Sequence, residues 1–243
     1  MPPSPLPVFV ISLPDCTDRR AAISVALAEQ GLTFQFVEAI DGRRGLPADQ
    51  VAHVDTVRAA RRLGRPISDA ECAASLSHAS VYRRIVEGGL DHALIFEDDA
   101  ILTDGVRRFV ETEGYRAAPM VILNHLNARV MQKGGEVVFD DVRARPLAVP
   151  CFRAAAYSLS LAGARWLLER AIPVSMPPDW PADITEIGAV ALDPEIVHHP
   201  PEAPGQSTLE PGRSQRPGQR LHRLLDPAYA RRVWRKSQSE KIS

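Results

Sequence analysis

The sequence lacks the features that mark membrane-spanning and disulfide-stabilised proteins. In its 243 residues, no apolar run approaches the roughly 18 to 20 residues that a membrane-spanning helix needs. The first ten residues, MPPSPLPVFV, lack the basic segment of a secretory signal peptide, so we expect a cytoplasmic location. The three cysteines, Cys16, Cys72 and Cys151, form no C-x-x-C pair, which favours reduced thiols over a disulfide framework or a zinc site.

The chain as a whole also lacks an excess of either charge. Its net charge of −1 gives no indication of a nucleic-acid partner, and we expect none. The C-terminal end differs, because nine basic and two acidic residues over 213–243 give that segment a charge of +7. We therefore predict a folded domain over 1–212 and a basic tail over 213–243. The tail carries interspersed leucines and a tryptophan, so it is expected either to contact an anionic membrane peripherally, at the inner face, or to be solvated.

Apolar strand patterns alternate with helical patterns along the first half of the chain. A strand is predicted at Pro7–Leu13, a helix over about 17–30, and a second strand at Thr33–Val37. Ser68 and Glu71 form a capping box that begins the next helix. This order predicts an α/β fold, with a mostly parallel central sheet flanked by helices.

The second half continues this pattern with more irregular connections. Ser160 is expected to cap a helix, and a hairpin is expected around Gly134 and Gly135. Four prolines between Pro173 and Ile184 exclude regular structure and predict a stiff loop. Further strands are predicted at 120–124 and 149–160, near residue 190 and at 195–197.

Three adjacent acids stand where a core strand is predicted to end, in the stretch HALIFEDDAIL (His92–Leu102). Open α/β sheets bind ligands at the carboxyl ends of their strands. In extended geometry Glu97 and Asp99 point to one face and Asp98 to the other, so Glu97 and Asp99 are predicted to share one cation. Oxygen ligands suit Mg²⁺ or Mn²⁺. The alternative is a solvated cap at the end of the strand.

Two arginines begin the first predicted helix, which also follows the carboxyl end of a strand. Arg19 and Arg20 are therefore expected to face the acids across one cleft. A diphosphate held between arginine and a carboxylate-bound metal fits such a cleft. The alternative is a solvent-facing pair, although arginine at a helix start opposes the helix dipole.

Seven motifs in order resemble glycosyltransferase family 25, which includes lipopolysaccharide and lipooligosaccharide galactosyltransferases. Together they span about Val8 to Leu209. They are VFVISLPDCTDRR, FQFVEAIDG, SDAECAASLSHASVYRRIVEGG, HALIFEDDAIL, AAAYSLSLAGARWLL, PPDW and EIVHHPPEAPGQSTL. The family often has Gly-Cys before the S-H segment, where this chain has Ala73-Ala74.

The resemblance implies a GT-A-like (Rossmann-like) fold, a UDP-sugar donor, a divalent metal ion and inversion at the anomeric carbon. Asp99 would hold the metal, with Glu97 or Asp98 assisting, and Asp98 could instead contact the donor. His199 matches a position where some GT-A enzymes supply a third metal ligand, although a surface histidine is the simpler interpretation. The residues implied at the nucleotide end are Ile11, Ser12, Arg19, Arg20, Asp41 and Gly42.

Inversion needs a base that takes the proton of the acceptor hydroxyl. Asp179 in the PPDW motif is the first candidate and Asp183 the second, although Asp179 could merely cap a turn. His78 matches the S-H of the family and is expected near the donor, or else to be a packed helix residue. Trp180 and Tyr157 are expected either to stack on sugar rings or to belong to the core.

These features predict a metal-dependent hexosyltransferase that uses Mn²⁺ or Mg²⁺. The expected reaction transfers galactose from UDP-galactose to a hydroxyl of a saccharide or glycolipid, such as lipopolysaccharide or lipooligosaccharide. Two alternatives from other classes are a non-catalytic family member that binds a nucleotide sugar or glycan, and a metal-dependent phosphoryl hydrolase. The sequence shows no second carboxylate or histidine cluster of the kind that a two-metal hydrolase uses.

Overall fold

The computed structural model describes residues 6–200 and 227–242, and it is built around one eight-stranded sheet. The strand order is β2-β1-β3-β9-β5-β10-β8-β7. Four further short strands form two pairs, β4 with β11 and β6 with β12. The strands are β1 (Val8–Ser12), β2 (Gln35–Glu38), β3 (His92–Glu97), β4 (Ile101–Leu102), β5 (Met120–Ile122), β6 (Arg129–Met131), β7 (Glu136–Phe139), β8 (Val142–Pro146), β9 (Ala156–Ser160), β10 (Val190–Asp193), β11 (Val197–His198) and β12 (Ser239–Lys241).

Six α-helices connect or flank these strands in the described part of the chain. They are α1 (Thr17–Glu29), α2 (Thr56–Leu63), α3 (Asp69–Glu87), α4 (Gly105–Glu111), α5 (Leu161–Ala171) and α6 (Pro227–Ser237). None of these helices is long and apolar enough to span a bilayer. The predicted α/β architecture is confirmed, and it is consistent with a Rossmann-like GT-A fold.

The strands of the large sheet share a direction with two exceptions. β1 is parallel to both β2 and β3, and β5 is parallel to β10. β9 lies antiparallel between β3 and β5, and β8 lies antiparallel between β10 and β7. Six of the eight strands therefore point the same way, as expected, but only three of the seven neighbouring pairs are parallel. The sequence pattern gave no sign of these two reversed strands.

Residues of the central strands alternate between two apolar cores, one on each face of the sheet. In β1, Val8 and Val10 contribute to one core and Phe9 and Ile11 to the other. Helices α1 and α4 cover the first face, and helices α3 and α5 pack together over the second. Because both faces are buried, the central strands consist almost entirely of apolar residues.

Local sequence signals fix where two of the helices begin. The predicted capping box is confirmed at α3, where Ser68 accepts from the Glu71 amide and the Glu71 carboxylate accepts from the Ser68 amide. Ser160 caps α5 in the predicted way, by accepting from the amide of Gly163. These caps satisfy amides that have no partner within the helix.

Some predicted boundaries need correction. The tight hairpin joins β7 and β8 at Asp140 and Asp141, whereas Gly134 and Gly135 lie in the connection between β6 and β7. The strand expected over 149–160 begins only at Ala156. All three cysteines carry free thiols, as predicted.

The last described residues are attached to the body of the protein. β12 pairs antiparallel with β6, and Ile242 beyond it is buried. Arg235 of α6 donates hydrogen bonds to Thr185 Oγ1 at 2.7 Å and to the Leu147 carbonyl at 3.2 Å. Helix α6 is therefore fixed at its C-terminal end by side-chain and strand contacts.

Candidate active site

The carboxyl ends of β1 and β3 bring together residues that are far apart in the chain. Ser12 ends β1, Arg19 lies in the first turns of α1, and the three acids lie at the end of β3 and in the turn after it. Because β1 and β3 are parallel neighbours, these groups lie at one edge of the sheet. This is the edge at which open α/β sheets bind ligands.

Asp98 is held by both β1 and α1. Ser12 Oγ donates to Asp98 Oδ2 at 2.7 Å, and Arg19 Nη1 donates to Asp98 Oδ1 at 3.3 Å. Burial raises the pKa of the Asp98 carboxyl, and the hydrogen bond from Ser12 opposes that rise. Both carboxylate oxygens of Asp98 are therefore engaged within the protein.

Asp99 lies beside Asp98 and has different neighbours. Its Oδ2 is 3.3 Å from Arg19 Nη1 and 3.6 Å from His199 Nε2. Its Oδ1 is buried and has no hydrogen-bond partner among the described residues. Burial alone would raise the pKa of Asp99, but His199 and Arg19 together hold it below its ordinary value, and the same contact raises the pKa of His199.

Glu97 points to the opposite face of the sheet, toward α3. Its Oε1 lies 3.0 Å from Nε2 of the buried His78, whose Nδ1 lies 2.9 Å from the Tyr157 hydroxyl. Tyr82 is also buried, and burial raises the pKa of both tyrosines. Because an ionised carboxylate only accepts, the tautomer that satisfies the chain donates from Nε2 to Glu97 and accepts at Nδ1 from Tyr157.

The acids therefore do not alternate as an extended strand would require. β3 ends at Glu97, and the Ala100 amide donates to the Glu97 carbonyl at 3.2 Å to close a turn. The turn places Asp98 and Asp99 together against Arg19. The expectation that Glu97 and Asp99 share a face is wrong for this reason.

The structure separates the other residues expected at the nucleotide end. The guanidinium of Arg20 stacks 4.0 Å from the ring centroid of Phe36 on β2 and does not contact the acids. Ile11 is buried in the core, so it offers a ligand little more than its backbone. Asp41 is exposed and accepts from Arg43 at 2.7 and 2.9 Å, which lowers its pKa to about 2.

Gly42 allows the loop after β2 to approach the start of α3. A Cβ atom at this position would lie 2.5 Å from the Asp69 carbonyl oxygen and 2.8 Å from the Ala70 Cα. Those distances are too short for any side chain. The glycine therefore serves the packing of this loop, and the loop keeps Asp41 at the same edge of the sheet as the acids.

The two acids considered as the base have different local roles. Asp179 Oδ1 accepts from the Arg153 amide at 2.8 Å, and next to it Trp180 Nε1 donates to the Cys151 carbonyl at 2.8 Å. These bonds attach the proline-rich loop to the segment before β9. Asp183 caps the short 3₁₀ helix at Ile184–Ile187 by accepting from Thr185 N and Oγ1. A cap of this kind already explains Asp183.

The aromatic side chains considered from the sequence lie inside the protein. Trp180 is buried and meets Tyr157 edge to face at a centroid distance of 5.4 Å, so both aromatics belong to the core and not to an exposed sugar platform. Tyr82 lies one helical turn after His78 on the same stripe of α3. The sequence spacing places Glu71, Ser75, His78 and Tyr82 on this one polar stripe.

Asp99 and His199 are the described residues best suited to a divalent cation. No group of three His, Cys, Asp or Glu side chains within residues 6–200 and 227–242 is arranged to hold one. Mg²⁺-type ions, however, commonly use one or two carboxylates and take their other ligands from substrate phosphates and water. The buried, unpartnered Oδ1 of Asp99 fits this pattern, because a cation would satisfy it. Glu97 Oε1, in contrast, lies 3.0 Å from His78 Nε2.

Comparison with known proteins shows that the chain is similar to glycosyltransferases. Residues 6–181 match the family model described as glycosyltransferase family 25 (LPS biosynthesis protein). Over 84% of its length the chain is 30% identical to the mouse protein named inactive glycosyltransferase 25 family member 3, of which it covers 39%. It is 27% identical, over 90% of its length, to a putative glycosyltransferase of Haemophilus influenzae, of which it covers 80%.

A further relative carries a more specific name. The chain is 27% identical, over 66% of its length, to the lacto-N-neotetraose biosynthesis glycosyltransferase LgtE of Neisseria gonorrhoeae. It covers 59% of LgtE, so it spans less than two thirds of both the mouse and the gonococcal protein.

Proposed function

Because the chain belongs to glycosyltransferase family 25, we propose that it is an inverting, metal-dependent hexosyltransferase. The donor proposed is UDP-galactose. The acceptor proposed is a hydroxyl of a surface glycan such as lipopolysaccharide or lipooligosaccharide. The LPS description of the family and the lacto-N-neotetraose name of one relative support this choice of acceptor.

The observation that carries the proposal is the cluster of Ser12, Arg19, Asp98 and Asp99 at the carboxyl edge of the sheet. Arg19 bridges the two aspartates but remains about half exposed, with a side-chain exposure of 53%. Its remaining N–H groups can therefore donate to a diphosphate that enters from solvent. Asp98, anchored by Ser12, fixes Arg19 in position for this contact.

Asp99 and His199 would hold the proposed Mn²⁺ or Mg²⁺. The ion would supply positive charge to the departing diphosphate, the group on which negative charge develops during transfer. His199 approaches Asp99 Oδ2, which leaves Oδ1 as the unsatisfied oxygen. Arg19 adds a second positive charge on the side of Asp98.

We propose Asp179 as the general base. In the reaction, the acceptor oxygen bonds to the anomeric carbon while the bond from that carbon to the diphosphate breaks. The hydroxyl proton passes to a carboxylate oxygen of Asp179, and the nucleoside diphosphate leaves with the bonding electrons. Attachment of the loop through Arg153 and Trp180 supports this role, because a base must be held in place. Asp183 is the weaker choice, because its capping bonds already explain it.

A second candidate function is non-catalytic binding of a nucleotide sugar or glycan. The mouse relative is named inactive, and this observation favours the alternative. The two functions make different predictions for turnover. A non-catalytic protein would bind the donor and release no nucleoside diphosphate.

We further propose that the protein acts at the cytoplasmic face of a membrane, with α6 in contact with anionic lipid. Trp234 and Val233 are 61% and 50% exposed. Arg231, Arg232 and Lys236 are exposed on the same helix, so charge and apolar surface occur together. This is the composition of helices that lie in the membrane interface.

A panel of UDP-sugars tests the proposed function. Each sugar nucleotide is titrated calorimetrically with and without Mn²⁺, and released UDP is then measured with and without a glycan acceptor. We expect tightest binding for UDP-galactose with Mn²⁺, and UDP release that depends on acceptor. Binding without release would favour the non-catalytic alternative, and no binding of any sugar nucleotide would refute both.

A further inference from the structure

Helix α2 carries three exposed arginines on one face. Arg58, Arg61 and Arg62 are spaced by three and four residues, so their side chains are neighbours on the helix surface. We call them the arginine ridge. A fourth arginine, Arg65, differs from them, because it forms an ion pair with the buried Glu71 at 2.5 Å.

The arginine ridge has no compensating ion pair within the described chain. None of its three members forms a salt bridge there, and α2 itself contains no acid. Asp55, the nearest carboxylate, accepts from the backbone amide of Arg58 and caps the helix. Burial lowers the pKa of Arg62 and the neighbouring charge of Arg58 lowers it further, while the charge of Asp55 opposes this change. The like charges of the three arginines repel one another, although Arg61 and Arg62 lie in the last turn of α2, where basic side chains interact favourably with the helix dipole.

Backbone pairing attaches the ridge to the loop that carries the proposed base. The amide of Asp55 donates to the Val174 carbonyl at 2.9 Å, and the amide of Val174 donates to the His53 carbonyl at 2.8 Å. Arg62 Nη1 also donates to Oγ of the buried Ser175 at 2.8 Å. The same loop continues through Pro177 and Pro178 to Asp179, so the ridge is connected along this loop to the proposed base.

The ridge is separate from the cluster proposed to bind the donor. Helix α1, which carries Arg19, packs on the core that contains Val8 and Val10. Helix α2 packs through Ala59 against Val174 and against Cys72 and Leu76 of α3, the helix that covers the other face of the sheet. A diphosphate bound at Arg19 would therefore leave the ridge free to bind a different anionic group.

We propose that Arg58, Arg61 and Arg62 form a subsite for an anionic group, a phosphate or carboxylate, carried by the acceptor saccharide. This inference rests on the proposed glycosyl transfer. A guanidinium presents paired N–H donors that match both kinds of anion, and Ser175 holds that of Arg62 at the rim of the loop. Binding of the anion would relieve the repulsion within the ridge. The arginines are thus determinants of acceptor specificity and are not part of the transfer step.

The test compares the wild-type protein with a double variant, Arg58→Gln with Arg61→Gln. Arg62 is kept because it contacts Ser175. The acceptor is the oligosaccharide released from lipooligosaccharide, used intact and after removal of its phosphates and reduction of its carboxyl groups. We expect the double variant to raise KM for the intact oligosaccharide about tenfold or more. Its kcat and its KM for UDP-galactose should not change, and it should no longer discriminate between the two oligosaccharides.

Arg165→Gln provides the matched control, since Arg165 is an exposed arginine on α5 without a described contact. It should leave every parameter unchanged. The thermal midpoint of the double variant should change little, because the loss of repulsion between like charges is offset by the loss of a basic side chain, Arg61, from the last turn of α2. A fall in the midpoint would point to a structural role and would contradict the inference.

Other outcomes refute the inference in distinguishable ways. An equal rise in KM for both oligosaccharides would show that the ridge does not distinguish a charged acceptor from an uncharged one. A rise in KM for UDP-galactose would show that the ridge contributes to binding of the donor and not of the acceptor. Weaker binding to phosphatidylglycerol vesicles with unchanged KM would assign it to the membrane, which the exposed Val57 on α2 could also contact.

Calorimetric titration with the same two oligosaccharides keeps the inference testable if the wild-type protein transfers no sugar. In that event the proposed activity fails. Preference for the charged oligosaccharide, lost in the double variant, would still support the subsite. Equal binding of the two oligosaccharides by the wild-type protein would refute it.

Discussion

At the scale of single residues, Arg19 and the two aspartates after β3 are mutually dependent. Arg19 Nη1 lies 3.3 Å from both Asp98 and Asp99, so neither acid can be altered without freeing part of the guanidinium. Asp98 has a second anchor in Ser12, whereas among the described residues Asp99 has His199 beside it and one unsatisfied oxygen. Of these two aspartates, Asp99 has the more exposed side chain, at 20% against 10% for Asp98, so it is the more available to a ligand.

Asp99→Asn should reduce transfer by about 100-fold or more, because it removes the negative charge proposed to hold the metal ion. Stability should change little, since the amide can still accept from Arg19. The measurement is the initial rate at saturating UDP-galactose over a range of Mn²⁺ concentrations. Asp18→Asn, at an exposed acid of α1, is the matched control. Full activity of the Asp99 variant would exclude the metal role.

The buried carboxylate of Glu71 makes stability depend on pH. Burial tends to raise its pKa, but hydrogen bonds from Arg65 and Ser68 bring it below the ordinary value of 4.5. A lowered pKa in the folded state stabilises the protein above the unfolded-state value, and this contribution is lost as pH falls through the folded-state value. The contribution of Glu71 to the free energy of unfolding of the wild-type protein should therefore be constant near neutral pH. It should decline only below about pH 4.5.

Glu71→Gln tests this dependence. It leaves Arg65 without its charge partner and should lower the free energy of unfolding by about 3 kcal/mol at pH 7. Urea unfolding of both proteins between pH 7 and pH 3 should show the difference shrinking in acid. A difference that stays constant across this range would mean that the charge of Glu71 is not involved.

At the scale of elements, sequence signals located helices with clear caps and strands buried on both faces. The capping box before α3 and the serine before α5 fixed those starts to the residue. The orientation of the acids after β3 could not be predicted from the sequence, because it depends on the residue at which the strand ends. One residue of additional strand would have put Asp98 and Asp99 on opposite faces. Only the turn closed by Ala100 decides this.

Helix α6 makes a prediction at the same scale. The wild-type protein should co-sediment with phosphatidylglycerol vesicles and not with phosphatidylcholine vesicles, because several basic residues accompany exposed Trp234 and Val233. Trp234→Ser should weaken vesicle binding about tenfold by removing a large apolar group. Val25→Ser, at an exposed valine on α1, is the control. Equal binding to both kinds of vesicle, or none, would contradict the membrane contact.

At the scale of the whole molecule, the fold class could be predicted from the sequence but the sheet order could not. The strand–helix–strand opening predicts parallel neighbours, and β1, β2 and β3 are parallel. The direction of β9 depends on the strands beside which it packs. Its apolar sequence pattern is the same for a parallel and an antiparallel strand, so the pattern does not predict the direction. The contact between β12 and β6 joins residues more than one hundred positions apart, beyond the reach of any local pattern.

The same limit applies to the site. The acids and Arg19 could be singled out because charge at the end of a buried strand is locally unusual. The supports of Glu97 on α3 and β9, and the attachment of α2 to the loop after α5, depend on packing between distant segments. The functional account therefore combines a local sequence signal with contacts that only the folded chain supplies.

The most direct test of the central claim is the structure of the product formed from UDP-galactose. The protein is incubated with Mn²⁺, UDP-galactose and a lipooligosaccharide-derived acceptor, and the new linkage is assigned by NMR spectroscopy. The donor carries an α-linked sugar, so inverting transfer predicts a β-linked galactose on the acceptor, absent with the Asp99→Asn protein. An α-linked product, or UDP release without any new glycosidic bond, would contradict the account.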